Sequence, residues 1–432
     1  MIPALPTRPE RERAILVAAI FGDTSLEEAE WSLDELAALA DTAGADVLDR
    51  LTQRRDRPDP ATYVGRGKAK EVVDAALALD AGMVIFDDEL TPAQGRNLEE
   101  LAGVNPLAEK GLKIIDRTGL ILDIFAQHAR SSEGKLQVEL AQLDYRLPRL
   151  RGWGEVLSRL GGGIGTRRGP GESALEVERR AIVRRIQRVK DDIEELSRRR
   201  RLKRKARNRS GTTIVALVGY TNAGKSTLLS RLTDSKALIE DRLFSTLDPV
   251  TRRLALPAGR DALLTDTVGF VQKLPHQLVE AFKSTLEEVG EADLLLHIVD
   301  ATRAPERQIS AVQTVLKEIG VADKPSVIVM NKTDVLSAPE LATLQARHPE
   351  AVFCSAAEQR GLVELLARVA EELSRLSIEV SLEVPFGRGD VVARLHQEAE
   401  VVKENYTEDG VHIVARLAPG LLGEVRPYLA QQ

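Results

Sequence analysis

A single cysteine, Cys354, excludes an internal disulfide and any site built on several thiolates, and it fits a reducing compartment. Six histidines without paired spacing, beside that lone thiol, argue against zinc. Aromatic residues make up only 3% of the chain and no RRM-like signature is present. Nucleic acid would therefore be met through backbone and shape, not by stacking on single-stranded bases. Long apolar runs are missing as well. The longest near the start, Ala14 to Phe21, follows Arg-Pro-Glu-Arg-Glu-Arg with no small-residue cleavage site, so it reads as a strand and not a signal peptide. Nothing approaches a membrane span, so membrane insertion is not expected and the cytoplasm is the default location.

The one place where acids are missing is informative. Net charge is −6 overall, yet Arg179 to Arg209 holds fifteen Lys or Arg and four acids, and Arg198 to Arg209 holds nine cations and no acid. Solvated helix faces normally mix signs. An unrelieved cationic block repels itself unless a polyanion is near, which points to nucleic-acid contact.

At 432 residues the chain exceeds one ordinary core. Residues 1–117 alternate strand and helix patterns: Ala14 to Ile20, Leu26 to Ala40, Asp46 to Leu51, Lys68 to Leu79, Met83 to Phe86, Pro92 to Leu101 and Leu112 to Ile115. That predicts a small α/β domain with a largely parallel sheet. Tyr63 to Lys68, YVGRGK, is a Gly-rich turn that either cradles phosphate or simply starts a helix. The Asp87-Asp88-Glu89 cluster could hold a metal, but Thr91 and Pro92 after it form an N-cap and N1 pair, and the structural reading is preferred.

In residues 118–210, Leu136, Leu140, Leu143, Leu147 and Leu150 form a heptad-like stripe that returns at Leu175, Ile182, Ile186, Val189, Ile193 and Leu196. Two such stripes predict an antiparallel helical hairpin with an apolar seam, the first helix kinking or ending near its tip at Pro148. The joining segment, Gly152 to Gly171, has eight glycines in twenty residues. Residues 377–432 alternate again, through Ile378 to Val384, Val391 to His396, Val401 to Tyr406, Val411 to Leu417 and a last helix from Pro419, and predict a small α/β appendage.

Residues 211–376 carry the chemistry. Gly219 to Thr227, GYTNAGKST, follows the apolar run Ile214 to Val218 and precedes Leu228, Leu229 and Leu232 at helical spacing. This is the strand, loop and helix order of a phosphate-binding loop. Gly219 and Gly224 let backbone N–H groups converge on phosphate oxygens, Lys225 reaches the β- and γ-phosphates, and Ser226 can ligate Mg²⁺. ALLTDTVG, Ala262 to Gly269, places Asp266 by the metal and the Gly269 N–H where it senses a γ-phosphate. In PSVIVMNKTD, the Asp334 carboxylate behind Asn331 and Lys332 can accept the N1–H and 2-amino group that guanine has and adenine lacks. The substrate is then GTP and not ATP. Ser355-Ala356 ends another strand, where a backbone N–H would meet the guanine O6. Asp241 to Arg253 is long and polar enough for switch I, with Thr246 as second magnesium ligand and Thr251 as rival. After Gly269 comes Phe270, which cannot orient water, so a partner is expected to supply or order the missing group. Lys225, Thr246 and Gly269 are the catalytic candidates.

DRTGLILDIFAQHARSSEGKLQVELAQLDYRLPRL, GGGIGTRRGPGE, GYTNAGKSTL, LFSTLDPVTRR, DTVGF, NKTD and VIFDDELTPAQGRNLE together make the chain resemble the HflX family of ribosome-associated GTPases. The resemblance covers nearly the whole chain, and the last fifty or so residues are the least diagnostic. It implies an α/β chain in which a P-loop GTPase domain is preceded by a small α/β domain and the helical hairpin, and followed by a small α/β domain. It also implies that the first two parts bind the large ribosomal subunit, with the hairpin tip near the peptidyl-transferase region, and that GTP drives separation of stalled or idle ribosomes. The contacts are ribosomal RNA, with ribosomal proteins left open. The family's nucleotide contacts fall on Gly219, Tyr220, Thr221, Asn222, Ala223, Gly224, Lys225 and Ser226; on Phe244, Ser245, Thr246, Leu247 and Asp248; on Asp266, Thr267, Val268 and Gly269; on Asn331, Lys332, Thr333 and Asp334; and on Ser355, Ala356 and Ala357. Ser226 and Thr246 become the magnesium ligands. Phe270 is no departure within the family, whereas Ala357 lacks the longer side chain often found in GTPases and would loosen the hold on the base. The hairpin supplies its own seam partner, which favours a monomer. Two rivals differ in class: a signalling switch acting on a protein, and ATP-dependent RNA remodelling by the N-terminal domain, for which only YVGRGK speaks.

Overall fold

The structure is a computed structural model and describes residues 11–22, 24–103, 111–150, 170–209, 213–233, 243–244, 248–257, 261–273, 288–407, 409–417, 421 and 425–430. The chain divides into two compact units, Met1–Ile193 with Gln272–Phe282 and Glu194–Val271 with Lys283–Gln432.

In the first unit β1 (Glu12–Phe21), β2 (Ala45–Arg55), β3 (Met83–Phe86) and β4 (Lys113–Asp116) form a parallel sheet in the order β2-β1-β3-β4. The apolar run of β1 lies at its buried centre, as a strand covered on both faces requires. α1 (Leu26–Ala43) starts with a reciprocal Ser25–Glu28 capping box and stops at Gly44, whose φ of 89° is the left-handed conformation of a helix end. α2 (Arg66–Ala78) and α3 (Pro92–Leu101) complete the crossovers, and Thr91 caps α3 with Pro92 in its first turn, as expected. The YVGRGK turn opens α2 at Gly65, and the Lys68 ammonium is spent on Glu71 at 2.6 Å. Asp87 meets the buried Arg117 guanidinium at 2.8 Å, and Asp88 pairs with Lys273 at 2.5 Å. No group of His, Cys, Asp or Glu suited to a metal occurs among the described residues. Asp87 and Asp88 are each engaged by a cation.

α4 (Arg117–His128) is buried from Arg117 to Leu122 and at Ile124 and Phe125, and leads into α5 (Ser132–Arg149), which ends one residue beyond Pro148. α5 forms the hairpin with α6 (Pro170–Arg209), and Arg185 of α6 makes a double hydrogen bond to Glu139 at 2.6 and 2.8 Å. Of the stripe expected on α6, Ile186 and Val189 are buried and Ile182, Ile193 and Leu196 are half-buried. On α5 the outcome differs: Leu136, Leu140, Leu143 and Leu147 are only half-buried, while Gly134, Gln137, Val138 and Ala141 are buried. The closest packing on α5 therefore falls on a neighbouring face, and α4 packs against this helix. Residues 151–169 of the expected glycine-rich tip lie outside the described residues.

The second unit holds β5 (Ile214–Gly219), β6 (Val250–Ala255), β7 (Asp261–Asp266), β8 (Leu294–Asp300), β9 (Ser326–Asn331) and β10 (Val352–Phe353) in the order β10-β9-β8-β5-β7-β6. All neighbours run parallel except the β6–β7 pair. The carboxyl ends of the central strands carry the loops of interest, where an open α/β sheet places its ligands. A separate antiparallel sheet follows, β11 (Ile378–Pro385), β13 (Gly410–Leu417) and β12 (Glu400–Tyr406), with one helix between the first two strands in sequence, α7 (Gly389–Glu398), and a core of Leu382, Val384, Leu395, Ile413 and Leu417. The helix expected from Pro419 falls partly outside the described residues, and Arg426–Tyr428 form a single 3₁₀ turn. Among the described residues no helix is long and apolar enough to cross a membrane.

Leu36 of α1 is fully buried in the first unit. Leu36→Ala is expected to lower that unit's stability by about 2–5 kcal/mol, through lost burial and the cavity left behind. A downward shift of the urea midpoint for this unit measures it.

Candidate active site

β5 is buried at every position and delivers Gly219 to the sheet's carboxyl edge. A Cβ on Gly219 would lie 2.2 Å from the Ile298 carbonyl oxygen, so no side chain fits between β5 and β8. Gly224 has φ +94°, and a Cβ there would meet Asn331 Nδ2 at 2.3 Å. Both glycines are fixed by backbone conformation and close approach. The loop then enters a helix, Lys225–Leu232, whose first N–H groups face its opening.

Lys225 is 6% exposed and donates to the Gly219 carbonyl at 3.0 Å and the Tyr220 carbonyl at 2.8 Å. Burial pushes its ammonium down to about 8, against the pull of the Asp266 carboxylate. Ser226 Oγ donates to Asp266 Oδ2 at 2.6 Å. A hydroxyl and a carboxylate oxygen this close are the hard donors that Mg²⁺ takes. Thr221 is buried, and its hydroxyl has no hydrogen-bond partner among the described residues. Asn222 is exposed at the loop's crest with φ +57°.

The D-x-x-G segment lies directly against this loop. Thr267 Oγ1 donates to the Leu217 carbonyl at 2.6 Å, the Phe270 N–H to the Gly219 carbonyl at 3.1 Å, and the Thr221 N–H to the Phe270 carbonyl at 2.7 Å. Val268 and Phe270 are buried. The phenyl ring at the position after Gly269 therefore packs inward.

Asn331 joins the third group of residues to the first. Its Nδ2 donates to the Ala223 carbonyl at 2.9 Å and its Oδ1 accepts the Ala356 N–H at 3.0 Å. Lys332 takes a left-handed φ of 64° and pairs with Asp300 at 2.8 Å. The Thr333 N–H donates to the Cys354 carbonyl at 3.3 Å. Asp334 Oδ1 is buried without a hydrogen-bond partner among the described residues. An orphaned carboxylate oxygen is costly unless a ligand's donors complete it, and paired N–H donors on one edge of a planar base would do so. Ser355 is fully buried, and Ala357 is exposed beside it.

Switch I is only partly described. Phe244 is buried with φ +57°, and Asp248 is half-buried, while Ser245, Thr246 and Leu247 lie outside the described residues. The rival ligand Thr251 sits on β6, with its hydroxyl 3.0 Å from that of Thr265. That pairing keeps it in the sheet.

Sequence reasoning missed His297 on β8. It is buried, Nε2 has no hydrogen-bond partner among the described residues, and burial together with the nearby Lys225 cation pushes the imidazole down to about 4. A polar residue inside the otherwise apolar run Leu294 to Val299 was the only signal.

Three segments match family profiles: residues 30–126 the GTP-binding GTPase N-terminal family, 128–207 the GTP-binding GTPase middle region, and 214–332 the 50S ribosome-binding GTPase family. GTPase HflX of Caldanaerobacter subterraneus is 47% identical, over 97% of this chain and 94% of that protein. GTPase HflX of Escherichia coli is 43% identical, over 92% of each. A GTP-binding protein from Sulfolobus solfataricus, solved with GDP, covers 83% of this chain and 98% of its own at 25% identity and a TM-score of 0.43.

Phosphate oxygens beside Lys225 would raise its depressed proton affinity again. Nucleotide binding is then expected to take up a fraction of a proton that grows as pH rises from 7 to 9, and affinity to weaken as pH rises through 8. Calorimetric titration in buffers of different ionisation enthalpy measures the uptake, and Lys225→Met should abolish it.

Proposed function

The chain belongs to the HflX family of GTPases, and on that premise we propose that it binds the large ribosomal subunit and uses GTP hydrolysis to split stalled or idle ribosomes. The observation that carries the nucleotide assignment is the buried Asp334 oxygen left without a partner, at the end of a strand whose Asn331 ties the phosphate-binding loop to Ala356. Guanine offers that oxygen its N1–H and 2-amino donors. The ribosome assignment is supported by the match of residues 214–332 to the 50S ribosome-binding GTPase family and by nine cations without an acid at Arg198 to Arg209.

In the proposed mechanism, N–H groups of Gly219 to Ser226 bind the phosphates, and Lys225 swings from the Gly219 and Tyr220 carbonyls to the β- and γ-phosphates. Asn331, Lys332 and Thr333 hold the Asp334 loop, and Ser355, Ala356 and Ala357 close the base edge. Ser226 and Thr246 would hold Mg²⁺, with Asp266 beside them; bound there, the ion neutralises developing phosphate charge. Phe244, Ser245, Leu247 and Asp248 border the nucleotide from switch I, and Asp266, Thr267, Val268 and Gly269 from the opposite side. The Gly269 N–H orders on the γ-phosphate and Thr246 joins it, so both switches adopt a ribosome-binding arrangement that hydrolysis relaxes. The buried Phe270 cannot orient water, which leaves that task to a group ordered by the ribosome.

We assign these tasks to residues 1–117 and 118–210 for the ribosome and 211–376 for GTP, with 377–432 a C-terminal module. The protein acts as a cytoplasmic monomer in this reading, with ribosomal RNA as its main contact.

Asp334→Asn is expected to weaken GTP binding by roughly 100-fold, since two donors lose a charged acceptor, and to gain affinity for xanthosine triphosphate, which offers an acceptor where guanine offers a donor. Fluorescent-nucleotide titration separates the two effects. Co-sedimentation with large ribosomal subunits tests the partner. Pelleting should need a non-hydrolysable GTP analogue, fall steeply with salt, and be lost when Arg198 to Arg209 is neutralised. No pelleting under any condition would turn the search to a protein target.

A further inference from the structure

Thr221 lies where the phosphate-binding loop leaves β5, and only 7% of it is exposed. Its hydroxyl has no hydrogen-bond partner among the described residues. The main-chain N–H of the same residue is engaged, donating to the Phe270 carbonyl at 2.7 Å, and a parallel bridge joins Tyr220 to Phe270 beside it. A buried hydroxyl left unmet costs free energy, and in a loop shaped for a ligand the missing partner is an atom of that ligand. All of these residues belong to the second unit.

The groups nearest to Thr221 say which atom. A Cβ added to Gly269 would lie 2.9 Å from Lys225 Nζ, 2.9 Å from Thr221 Cα and 2.8 Å from Thr221 Cγ2. The Lys225 ammonium and the Gly269 main chain, the two groups assigned above to the γ-phosphate, therefore converge on the Thr221 side chain. A γ-phosphate that reaches both comes into contact with it. Oγ1 and Cγ2 branch from one carbon, so the hydroxyl lies next to the methyl that approaches Gly269, and β-branching leaves χ1 few alternatives. The hydroxyl is held ready at low cost in side-chain freedom.

Packing alone does not account for this residue. Valine has the same shape and would fill the space beside Gly269 without burying a polar atom. A hydroxyl adds one donor, and a charged phosphate oxygen is among the strongest acceptors it can meet.

We propose, resting on the reading of this loop as a GTP site, that the Thr221 hydroxyl donates a hydrogen bond to a γ-phosphate oxygen and so sets the preference for GTP over GDP. GDP brings no oxygen to that place. The hydroxyl stays unmet with GDP bound and is bonded with GTP bound, and an interaction present in only one of the two complexes enters their affinity ratio in full.

The test uses the full chain and titrates GDP and the β,γ-imido analogue of GTP into wild type, Thr221→Val, Thr221→Ser and Thr221→Ala. Thr221→Val is expected to lower the preference for the analogue over GDP by roughly 10-fold or more, the loss of one hydrogen bond to a charged group. Thr221→Ser, which keeps the hydroxyl and loses the methyl, should stay close to the wild-type ratio. A merely structural threonine gives the reverse order, with valine like wild type and serine impaired, and that order overturns the proposal. So does an unchanged ratio in Thr221→Val accompanied by slower single-turnover hydrolysis, which would assign the hydroxyl to the attacking water and not to the bound γ-phosphate. If Thr221→Val does not fold, the comparison of serine with alanine decides: a ratio kept by serine and lost by alanine supports the proposal, and equal ratios overturn it. Failure of wild type to bind either guanine nucleotide would instead sink the GTPase reading.

Discussion

The nucleotide site depends on one buried amide. Asn331 is 2% exposed, and its two polar atoms join the phosphate-binding loop at Ala223 to the strand end at Ala356. Three loops from three strands of one sheet are thereby held in register. The same amide fixes Gly224, because its Nδ2 occupies the space a Cβ would need. Truncating this side chain to alanine would leave a buried N–H and a buried carbonyl unmet at once, which costs more than the bonds themselves are worth. The loops we assign to the base and to the phosphates are one structure for this reason.

Beneath that frame the site is electrostatically tense. Lys225 is buried, His297 is held neutral close by, and burial acts against the protonated form of each. Two backbone carbonyls and the Asp266 carboxylate keep the lysine charged at neutral pH. Anionic phosphate would offer stronger compensation than two neutral carbonyls. The low-dielectric setting that penalises a buried ammonium would make its pairing with phosphate tight.

Much of this was legible in the sequence because local rules and the fold agree. The strands and helices of residues 12–101 follow from apolar runs and from caps such as Thr91–Pro92, and the glycines of GYTNAGKST are required by contacts only a Cβ would spoil. Other features needed the third dimension. Periodicity shows that Leu136, Leu140, Leu143 and Leu147 share a stripe, but not that Gln137, Val138 and Ala141 on an adjacent face are more deeply buried. The charge at Asp87 and Asp88 looked like a candidate metal site because its cations come from Arg117 and Lys273, distant in sequence. Thr251, the rival to Thr246 in the sequence, has its hydroxyl 3.0 Å from that of Thr265, a pairing that only the sheet reveals.

The lone thiol sits against Asn331, next to Ser355 and Ala356, which we assign to the base. Cys354 is 1% exposed, lies 3.8 Å from Asn331 Oδ1, and burial pushes its pKa up to about 12. A thiol in that setting presents almost no thiolate to an electrophile while it stays buried. With no second cysteine in the chain, its labelling rate would act as an internal clock for transient opening of the nucleotide site, and each guanine nucleotide could be ranked by how far it slows that clock.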